Sequence, residues 1–489
     1  MTGILGLRSC VAVAACAIAT SSPGQTAPPA TASSTQGSAP GKNTPSTPSS
    51  VPPTQAPATV APVAKPQDWN FHLQTTAIEQ GDLGFPSKYS GPNSLSSRGQ
   101  GQHTETLDLL AGKRLWRGAE FHVDGLIWQG FGLSETFGIE AFPNGDAYKF
   151  GTATPYFIFA RLFIRQTFGL GGPQEDVPDT ALTLAGKQDI SRITLTAGRF
   201  TPTDVVDTNA YASNPRTQFM NWGFVNNLTW DYPADSVGYT PGLTVELNQP
   251  KWALRYGCFV MPPVANSFTG DDEFLMWPHE GSFGPIFKEW AMNLELERRY
   301  TVKDHPGSIR PQAWLNQAHM ATYQDATAIL KADGPGADWE AARSFRYKYG
   351  FGLNWEQELA NNVGAFSRLG WSDGQEEAWA FTDATWTASL GVSVKGDAWK
   401  RSGDIVGLAT IVSGASAEEQ RFLEAGGAGI LDGDGALTYA PEDVLETYYD
   451  TQIAKGLHFG LDYQFVANPA YNSARGPVSI FGARLHYEF

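Results

Sequence analysis

The segment 156–168 alternates cationic and aromatic residues in a pattern that suits a hydroxyl-rich ligand. Arg161 and Arg165 are expected on one face of a strand, because alternate side chains of a strand point to the same side. The same face would carry three aromatic residues, which are Phe157, Phe159 and Phe163. Guanidinium groups donate several hydrogen bonds, and aromatic rings offer flat apolar surfaces. Together these groups could hold a molecule that has both hydroxyl groups and an apolar face.

The arginines also have an alternative role that involves no ligand. Like Arg161 and Arg165, several other cations fall on polar strand faces, namely Arg192, Arg255, Arg346, Lys348 and Arg484. All of them could instead form ion pairs with acidic residues of neighbouring strands and bind no ligand. Acidic residues available for such pairs are Glu246, Glu295, Glu297 and Asp462. The sequence leaves both roles open for each arginine.

The segment 201–236 carries a second set of polar and aromatic residues. It is a long connection between two expected strands, and we interpret it as a loop that folds inward. Its candidate ligand-binding residues are Asp204, Asp207, Asn209, Arg216, Asn221 and Trp222. The same charged residues could instead pair with one another and fix the loop as an internal knot. Both interpretations remain open at this point.

Two acidic motifs are candidates for metal binding and catalysis. Asp432-Gly433-Asp434-Gly435 resembles the start of an EF-hand loop, but such a loop needs glycine at position 437 and glutamate at position 443. The chain has Leu437 and Asp443 there, so we predict a turn and no metal site. Glu295 and Glu297 lie two residues apart on one expected strand, and such a pair does not flank a glycosidic bond. We therefore predict neither catalytic residues nor a cofactor.

The elements that position these residues are predicted to be β-strands, because apolar and polar residues alternate throughout the chain from Trp69 onward. The final segment 481–489 alternates without interruption and ends on Phe489. This pattern requires an apolar environment on one side and a polar one on the other. Rows of about nine to eleven residues can cross a membrane as tilted strands.

The pattern predicts an all-β fold, a transmembrane antiparallel β-barrel of sixteen strands. Short and long connections alternate along the chain, as expected for short periplasmic turns and long extracellular loops. The connection 169–190 does not fit, because it lies on the short-turn side and is too long. The expected strands are 71–79, 104–115, 119–129, 156–168, 191–200, 237–248, 252–260, 289–299, 309–320, 344–357, 363–371, 384–395, 404–413, 445–454, 457–466 and 477–489.

Composition agrees with a membrane barrel. The chain has 489 residues and a formal net charge of −16, which argues against a nucleic-acid partner because phosphate binding needs a basic surface. Aromatic residues make up 12% of the chain and include 15 tryptophans, as expected for two aromatic belts at the membrane interfaces. After residue 20 no apolar run is long enough for a transmembrane helix.

The N-terminal region is predicted to be exported and unstructured. Residues 1–20 read as a signal peptide, with Arg8 before a short apolar core and Ala17-Ile18-Ala19 as the cleavage pattern. Lipoprotein processing at Cys16 is the alternative. Residues 21–66 are predicted to be a disordered Pro/Ser/Thr-rich periplasmic spacer, because they lack large apolar residues. The spacer could reach toward the cell wall or be a passive tail. The barrel domain is assigned to residues 67–489.

Several motifs resemble those of the carbohydrate-selective porins, a family often called OprB-like. The resemblance extends over roughly residues 69–489. The glycine-rich stretch 129–134 is similar to the family's segment after an early strand, and Gly198-Arg199-Phe200 opens a stretch similar to its central loop. In the C-terminal part, matching residues follow one another in order: Trp399, Arg401, Asp404, 433–435, Leu437, Tyr439, Glu446, Tyr448, Tyr449, 462–464, Asn468, Pro469, Tyr471, Asn472, Gly476, Pro477, 484–486 and Phe489.

This resemblance implies a sixteen-stranded porin in the outer membrane, through which mono- or small oligosaccharides diffuse into the periplasm. Arg161 and Arg165 would then face a water-filled lumen and help to form its constriction. The implied partners are a carbohydrate substrate and outer-membrane lipid with lipopolysaccharide, and both a monomer and a homotrimer remain open. An outer-membrane barrel hydrolase acting on lipid or glycan is the second interpretation. An extracellular β-rich glycan-binding protein is the third.

Overall fold

The computed structural model describes residues 66–147, 149, 151–266 and 288–489. The predicted signal peptide and all of the predicted spacer except Pro66 lie outside the described residues. Both assignments therefore remain predictions. None of the helices in the described part is long and apolar enough to cross a lipid bilayer.

Sixteen antiparallel strands close into one barrel, as the alternation predicts. A separate two-stranded sheet, β5 and β6, lies in the connection between β4 and β7. The strands are β1 (Trp69–Gly84), β2 (Arg98–Trp116), β3 (Ala119–Gly130), β4 (Thr152–Gly169), β5 (Gln174–Val177), β6 (Gly186–Asp189), β7 (Arg192–Phe200), β8 (Thr240–Gln249), β9 (Trp252–Val260), β10 (Trp290–Val302), β11 (His305–Met320), β12 (Ser344–Ala360), β13 (Val363–Ser372), β14 (Trp386–Lys395), β15 (Ile405–Gly414), β16 (Glu442–Ala454), β17 (Leu457–Ala467) and β18 (Val478–Glu488).

The barrel closes where the last strand meets the first. β1 and β18 pair in register from Gln74 opposite Glu488 to Asp82 opposite Ile480. The terminal Phe489 extends this ladder, because its backbone N–H donates to the carbonyl of Leu73 at 3.1 Å. Because the barrel is closed, no strand has a free edge. A free edge would leave backbone N–H and C=O groups without hydrogen-bond partners in lipid.

The two ends of the barrel differ as predicted. At the periplasmic end, β2–β3, β8–β9, β10–β11, β12–β13 and β16–β17 are joined by two-residue turns. In one of them Lys303 and Asp304 both have positive φ, at 49° and 69°, as a type I′ hairpin turn requires. In their described residues, the longer extracellular loops carry three α-helices: α1 (Trp222–Val225), α2 (Tyr323–Asp333) and α3 (Ala417–Glu424).

The apolar rows face outward. Leu294 is 46% exposed and Phe351 is 54% exposed, values that are normal on a lipid-facing barrel surface. Their polar neighbours in sequence, such as Asn293 and Glu295, are buried within the barrel. The same outward exposure holds for Leu243, Leu296, Phe345, Tyr347, Tyr349, Leu390, Leu461 and Phe481.

One expected strand begins later than the alternation indicates. Strand β8 starts at Thr240 rather than at residue 237. Val237 and Tyr239, which the pattern assigned to the lipid-facing row, belong to the preceding loop and pack inside against Leu126 and Trp128. The alternation of the loop residues is therefore coincidental.

Substitution of a lipid-facing leucine tests the outward orientation. Leu294→Arg, in the middle of β10, should lower the free energy of unfolding in lipid bilayers by about 2–4 kcal/mol. Leu359→Arg, near the periplasmic end of β12, is the matched control and should cost about 0–1 kcal/mol, because arginine is tolerated near the interface. Denaturant unfolding of both variants measures the difference. Equal costs at the two positions would contradict the assigned membrane depth.

Candidate functional site

The loop between β7 and β8, residues 201–239, lies inside the barrel and contacts its wall on several sides. The backbone N–H of Asp207 donates to Glu295 of β10 at 2.7 Å. The N–H of Met220 donates to Glu446 of β16 at 2.6 Å. Arg484 of β18 donates to the carbonyl of Pro215 at 2.7 Å. Because these strands lie around the barrel, the loop crosses its interior.

Asp207 and Asn209 attach this loop to the wall. The carboxylate of Asp207 accepts hydrogen bonds from Arg368 Nε at 3.0 Å and from Asn354 Nδ2 at 2.7 Å. The amide of Asn209 donates to Asn354 Oδ1 at 2.8 Å. Both loop residues are almost fully buried. The polar groups of both residues are bonded within the protein, so they fix the loop. They do so through residues of the wall, whereas the internal-knot interpretation had the charged loop residues pair with one another.

Asn221 and Trp222 have different roles although they are adjacent. Asn221 is buried, caps α1, and donates from Nδ2 to Gln464 Oε1 at 3.0 Å. Trp222 is partly exposed and borders the lumen. Its ring stacks on Phe142 with centroids 5.4 Å apart and lies 4.9 Å from Phe381. Only Trp222 presents a surface to a molecule in the lumen.

Arg161 clamps the start of the loop to the wall. Its Nε donates to Asp204 Oδ2 at 2.8 Å and its Nη2 to Asp204 Oδ1 at 3.0 Å. Its Nη1 donates to Asp124 of β3 at 2.8 Å. The guanidinium also lies over the ring of Tyr239, 5.2 Å from its centroid. A bidentate pair of this kind holds two groups in a defined orientation.

Arg216 forms a second bridge between loops and wall. Its Nε donates to Asp146 in the loop 131–151 at 2.8 Å, and its Nη1 donates to Asp108 of β2. Burial raises the pKa of Asp146 and outweighs the opposing effect of the Arg216 charge. Arg216 borders the lumen, but its contacts show that it also fixes the loop.

A β-bulge in β4 changes the predicted position of Phe159. Arg161 pairs with Asp124, but the next pair is Phe159 with Gly125, so Ala160 is an extra residue in β4. A one-residue insertion reverses which side each preceding residue faces. Phe157 therefore points to lipid and is 41% exposed, and Phe159 lies on the same outer side. The prediction that Phe157 and Phe159 share the face of Arg161 is wrong.

The same bulge turns the other side of this segment inward. Tyr156, Ile158 and Ala160, which the alternation assigned to lipid, pack in the cluster that contains Tyr239. Beyond the bulge, Phe163 keeps its predicted inward side. Its ring stacks on His122 with centroids 5.1 Å apart and is 2% exposed. Phe163 is thus a core residue that supports the site and does not reach the lumen.

Arg165 differs from Arg161 in its contacts. Its Nη1 donates to the backbone carbonyl of Leu182 at 2.7 Å, and its guanidinium carbon lies 5.3 Å from the centroid of Phe163. Within the described part of the chain, no carboxylate lies in ion-pairing distance of Arg165. Since a guanidinium has five N–H donors, Arg165 retains donors for another molecule in the lumen.

The long periplasmic connection 170–191 folds over its end of the barrel. It contains the β5–β6 hairpin, which Arg192 of β7 fixes through a buried ion pair with Glu175 at 2.7 Å. At its tip Asp179 accepts from Asn70 Nδ2 at 2.8 Å. Although burial opposes it, hydrogen bonds from Asn70 and Gln67 lower the pKa of Asp179. The sequence signalled this feature only by the excess length of the connection.

A cavity of about 1440 Å³ lies between the inward loop and this hairpin. Of the residues predicted for the site, Phe159, Phe163, Asp207 and Asn221 do not border it. Sequence reasoning missed part of the arginine wall and the aromatic residues contributed by the loops. The predicted residues that do border it are Arg161, Arg165, Asp204, Asn209, Arg216 and Trp222. The further bordering arginines and aromatics are Arg114, Arg117, Arg192, Arg255, Phe142, Tyr211, Tyr232, Tyr239, Phe381 and Tyr448.

The acidic residues on β8 and β10 neutralise one arginine. Arg255 donates to Glu246 at 2.7 Å, to Glu295 at 2.8 Å and to Glu297 at 2.6 Å. The alternative role of ion pairing within the wall therefore holds for Arg255. These ion pairs also explain the presence of Glu295 and Glu297 on the inner face of β10, so a role in glycoside hydrolysis is not needed to explain them.

The closed barrel, its lipid-facing rows and its polar interior define an outer-membrane β-barrel channel. A family model described as carbohydrate-selective porin, OprB family, matches residues 93–489. The chain belongs to this family of porins. A search among curated proteins found no match.

Comparison with solved structures found outer-membrane channels similar to this chain. The high-pH structure of Pseudomonas putida OprB aligns with a TM-score of 0.65 and 16% identity, covering 86% of this chain and 94% of that chain. The low-pH structure of the same protein aligns with a TM-score of 0.45, 13% identity and coverages of 86% and 93%. The DcaP channel of Acinetobacter baumannii aligns with a TM-score of 0.45 and 10% identity, covering 86% of this chain and 97% of that chain. The first alignment shows a common fold.

Removal of Asp204 tests whether the Arg161 clamp limits loop motion. Asp204→Ala should increase open-channel current noise and mean conductance in planar bilayers, because the start of the loop loses its bidentate anchor. The unfolding free energy should fall by about 2 kcal/mol, as for a hydrogen bond to a charged group. Asp397→Ala removes an exposed carboxylate from a periplasmic turn and serves as the control. Identical current traces for both variants and the unmodified protein would disprove the clamp.

Proposed function

We propose that this protein is a porin for facilitated diffusion of mono- or small oligosaccharides into the periplasm. The observation that carries the proposal is the arrangement of Arg165 and Trp222 on one water-accessible cavity. Arg165 has hydrogen-bond donors to spare, and Trp222 has an apolar ring surface. A sugar offers hydroxyl groups at its rim and an apolar face, which these two groups complement. The family assignment independently favours a carbohydrate substrate.

The proposed passage depends on weak contacts. A channel conducts only if its substrate binds well enough to enter and weakly enough to leave. Several arginines line the cavity, but Arg161, Arg216 and Arg255 already have carboxylate partners. Such paired arginines offer fewer donors to a neutral sugar than Arg165 does. This arrangement favours brief hydrogen bonds over one deep binding pocket.

We further propose that Arg161 and Arg165 act differently at the constriction. Arg161 would set the pore width through Asp204, whereas Arg165 would contact the sugar directly. Asp207, Asn209 and Asn221 would then contribute by holding the loop in place, and Phe163 by supporting Arg165. We also propose that residues 1–20 are a signal peptide and that residues 21–66 are a periplasmic spacer.

Replacement of Arg165 tests the sugar contact. In Arg165→Ala, the sugar concentration that half-blocks the ion current should rise about fivefold, because about 1 kcal/mol of hydrogen bonding is lost. Liposome swelling by sugars should slow, while swelling by uncharged amino acids should change little. Arg421→Ala is the control, because Arg421 lies on the extracellular helix α3 and pairs with Glu418.

Two results would contradict the proposal in different ways. If the double variant Arg161→Ala/Arg165→Ala shows unchanged sugar flux and conductance, the assigned constriction is wrong. If the unmodified protein gives discrete ion steps that no sugar blocks, it is a channel for another class of solute.

A further inference from the structure

Three carboxylates from three extracellular loops meet in the protein interior. Glu140 belongs to the loop 131–151, Asp383 to 373–385 and Asp432 to 415–441. One oxygen of each lies within 4.8 Å of an oxygen of the other two. All three residues are at most 1% exposed. We call these residues the loop carboxylate cluster.

The cluster contains oxygens that have no partner. Among the described residues, both carboxylate oxygens of Asp432 lack a hydrogen-bond partner, and so does Oε2 of Glu140. The other oxygens accept hydrogen bonds from the backbone. The carboxylate of Glu140 accepts from the N–H of Asp383 at 2.5 Å, and the carboxylate of Asp383 accepts from the N–H of Leu431 at 2.9 Å. A buried charged carboxylate without a partner is strongly disfavoured. Asp432 therefore needs a proton or a cation that no described side chain provides.

In the described part of the chain, no basic side chain pairs with the cluster carboxylates. Lys348 and Lys149 both act electrostatically on Asp383, but neither forms an ion pair with the cluster. The ammonium of Lys348 donates to the carbonyl of Glu376 at 3.2 Å, and the ammonium of Lys149 donates to the carbonyls of Ala380 and Phe381. No Lys, Arg or His side chain of the described residues lies within 4 Å of a cluster carboxylate oxygen. Glu419 adds to the negative charge nearby rather than balancing it.

The backbone leaves room beside the cluster. A Cβ atom at Gly429 would lie 2.5 Å from Oδ1 of Asp432 and 2.6 Å from Oδ1 of Asp383. Glycine at this position therefore keeps the two oxygens accessible to the same small space. The turn is closed by a hydrogen bond from the Gly429 N–H to the Asp432 carbonyl at 3.0 Å.

We propose that the loop carboxylate cluster of Glu140, Asp383 and Asp432 binds one Ca²⁺ ion and joins three extracellular loops. Oxygen ligands of a single Ca²⁺ lie about 2.4 Å from the ion, so they are separated by at most about 4.8 Å. Irregular loops suit the flexible coordination of Ca²⁺ better than the strict octahedron of Mg²⁺. This site is separate from the lumen and does not depend on the proposed transport of sugars.

The main competitor for the cluster is the proton. Burial, reinforced by neighbouring carboxylates, raises the pKa of Glu140 and of Asp432 well above their ordinary values. Protons shared between the carboxylates would give the same oxygens partners, but a protonated cluster would not bind one Ca²⁺ per chain. Calcium binding to the whole protein at neutral pH therefore distinguishes the two states.

Calorimetric titration of the detergent-solubilised full chain with CaCl₂, after treatment with EGTA, tests the proposal. The unmodified protein should bind one Ca²⁺ per chain more than Asp432→Asn or Glu140→Gln, or bind it at least about tenfold more tightly than they do. The Glu140→Gln side chain retains an oxygen that can accept a hydrogen bond from the N–H of Asp383. Glu424→Gln is the matched control, because Glu424 is an exposed acid on the same loop as Asp432.

Thermal unfolding provides the second readout. Ca²⁺ should raise the melting temperature of the unmodified protein and of Glu424→Gln, because a ligand that binds only the folded state stabilises it. It should leave the two cluster variants unchanged. Heat-modifiable gel migration verifies that each variant forms a barrel. Equal Ca²⁺ binding by all proteins, as from adhering lipopolysaccharide, or no saturable binding to the unmodified protein, would overturn the proposal.

Discussion

The structure depends on satisfying the polar backbone of a loop that lies inside a barrel. Irregular backbone in an interior needs partners for its N–H groups, and the inward-facing carboxylates of the wall provide them. Glu446 accepts from Met220 and Asn221, and Glu356 accepts from Ala210 at 2.6 Å. Each such contact fixes the loop to a particular strand. The position of the loop inside the barrel is thus set by hydrogen bonds between the wall and the loop.

The same constraint explains part of the negative charge of the chain. A net charge of −16 would ordinarily lie on a solvated surface, because acidic side chains are mostly exposed. Glu377 and Glu419 contradict that expectation, because both are buried. Glu377 pairs with Arg343 at 2.8 Å, and Glu419 accepts from the N–H of Ser416 at 3.3 Å. Many of the carboxylates therefore organise loops rather than cover the surface.

Much of the fold was predictable because barrel strands repeat one simple rule. Alternation along the chain identified every barrel strand, and the pattern of connection lengths identified the two ends. A single insertion breaks that rule locally. The bulge at Ala160 moved Phe157 and Phe159 to the lipid side, and nothing in the residue types distinguishes this segment from a regular strand. The start of β8 was misplaced because Val237 and Tyr239 alternate by coincidence.

The site was predictable in composition but not in the role of each residue. Arg161, Arg165, Asp204 and Trp222 border the cavity as expected. Asp207 is instead bound by Arg368 and Asn354, which are more than 140 residues away in sequence. Contacts of such long range leave no local pattern. The hairpin at the periplasmic end was missed for the same reason, since its position depends on Arg192 and Asn70.

The central claim is that the loop 201–239 lies in the path of conduction. Thr203 borders the cavity on this loop, so Thr203→Cys, combined with Cys258→Ser, places a reactive thiol there. Addition of a bulky cationic methanethiosulfonate to an open channel in a planar bilayer should produce a single stepwise loss of conductance. The Cys258→Ser protein alone should not respond. A labelled Thr203→Cys channel with unchanged conductance would contradict the account.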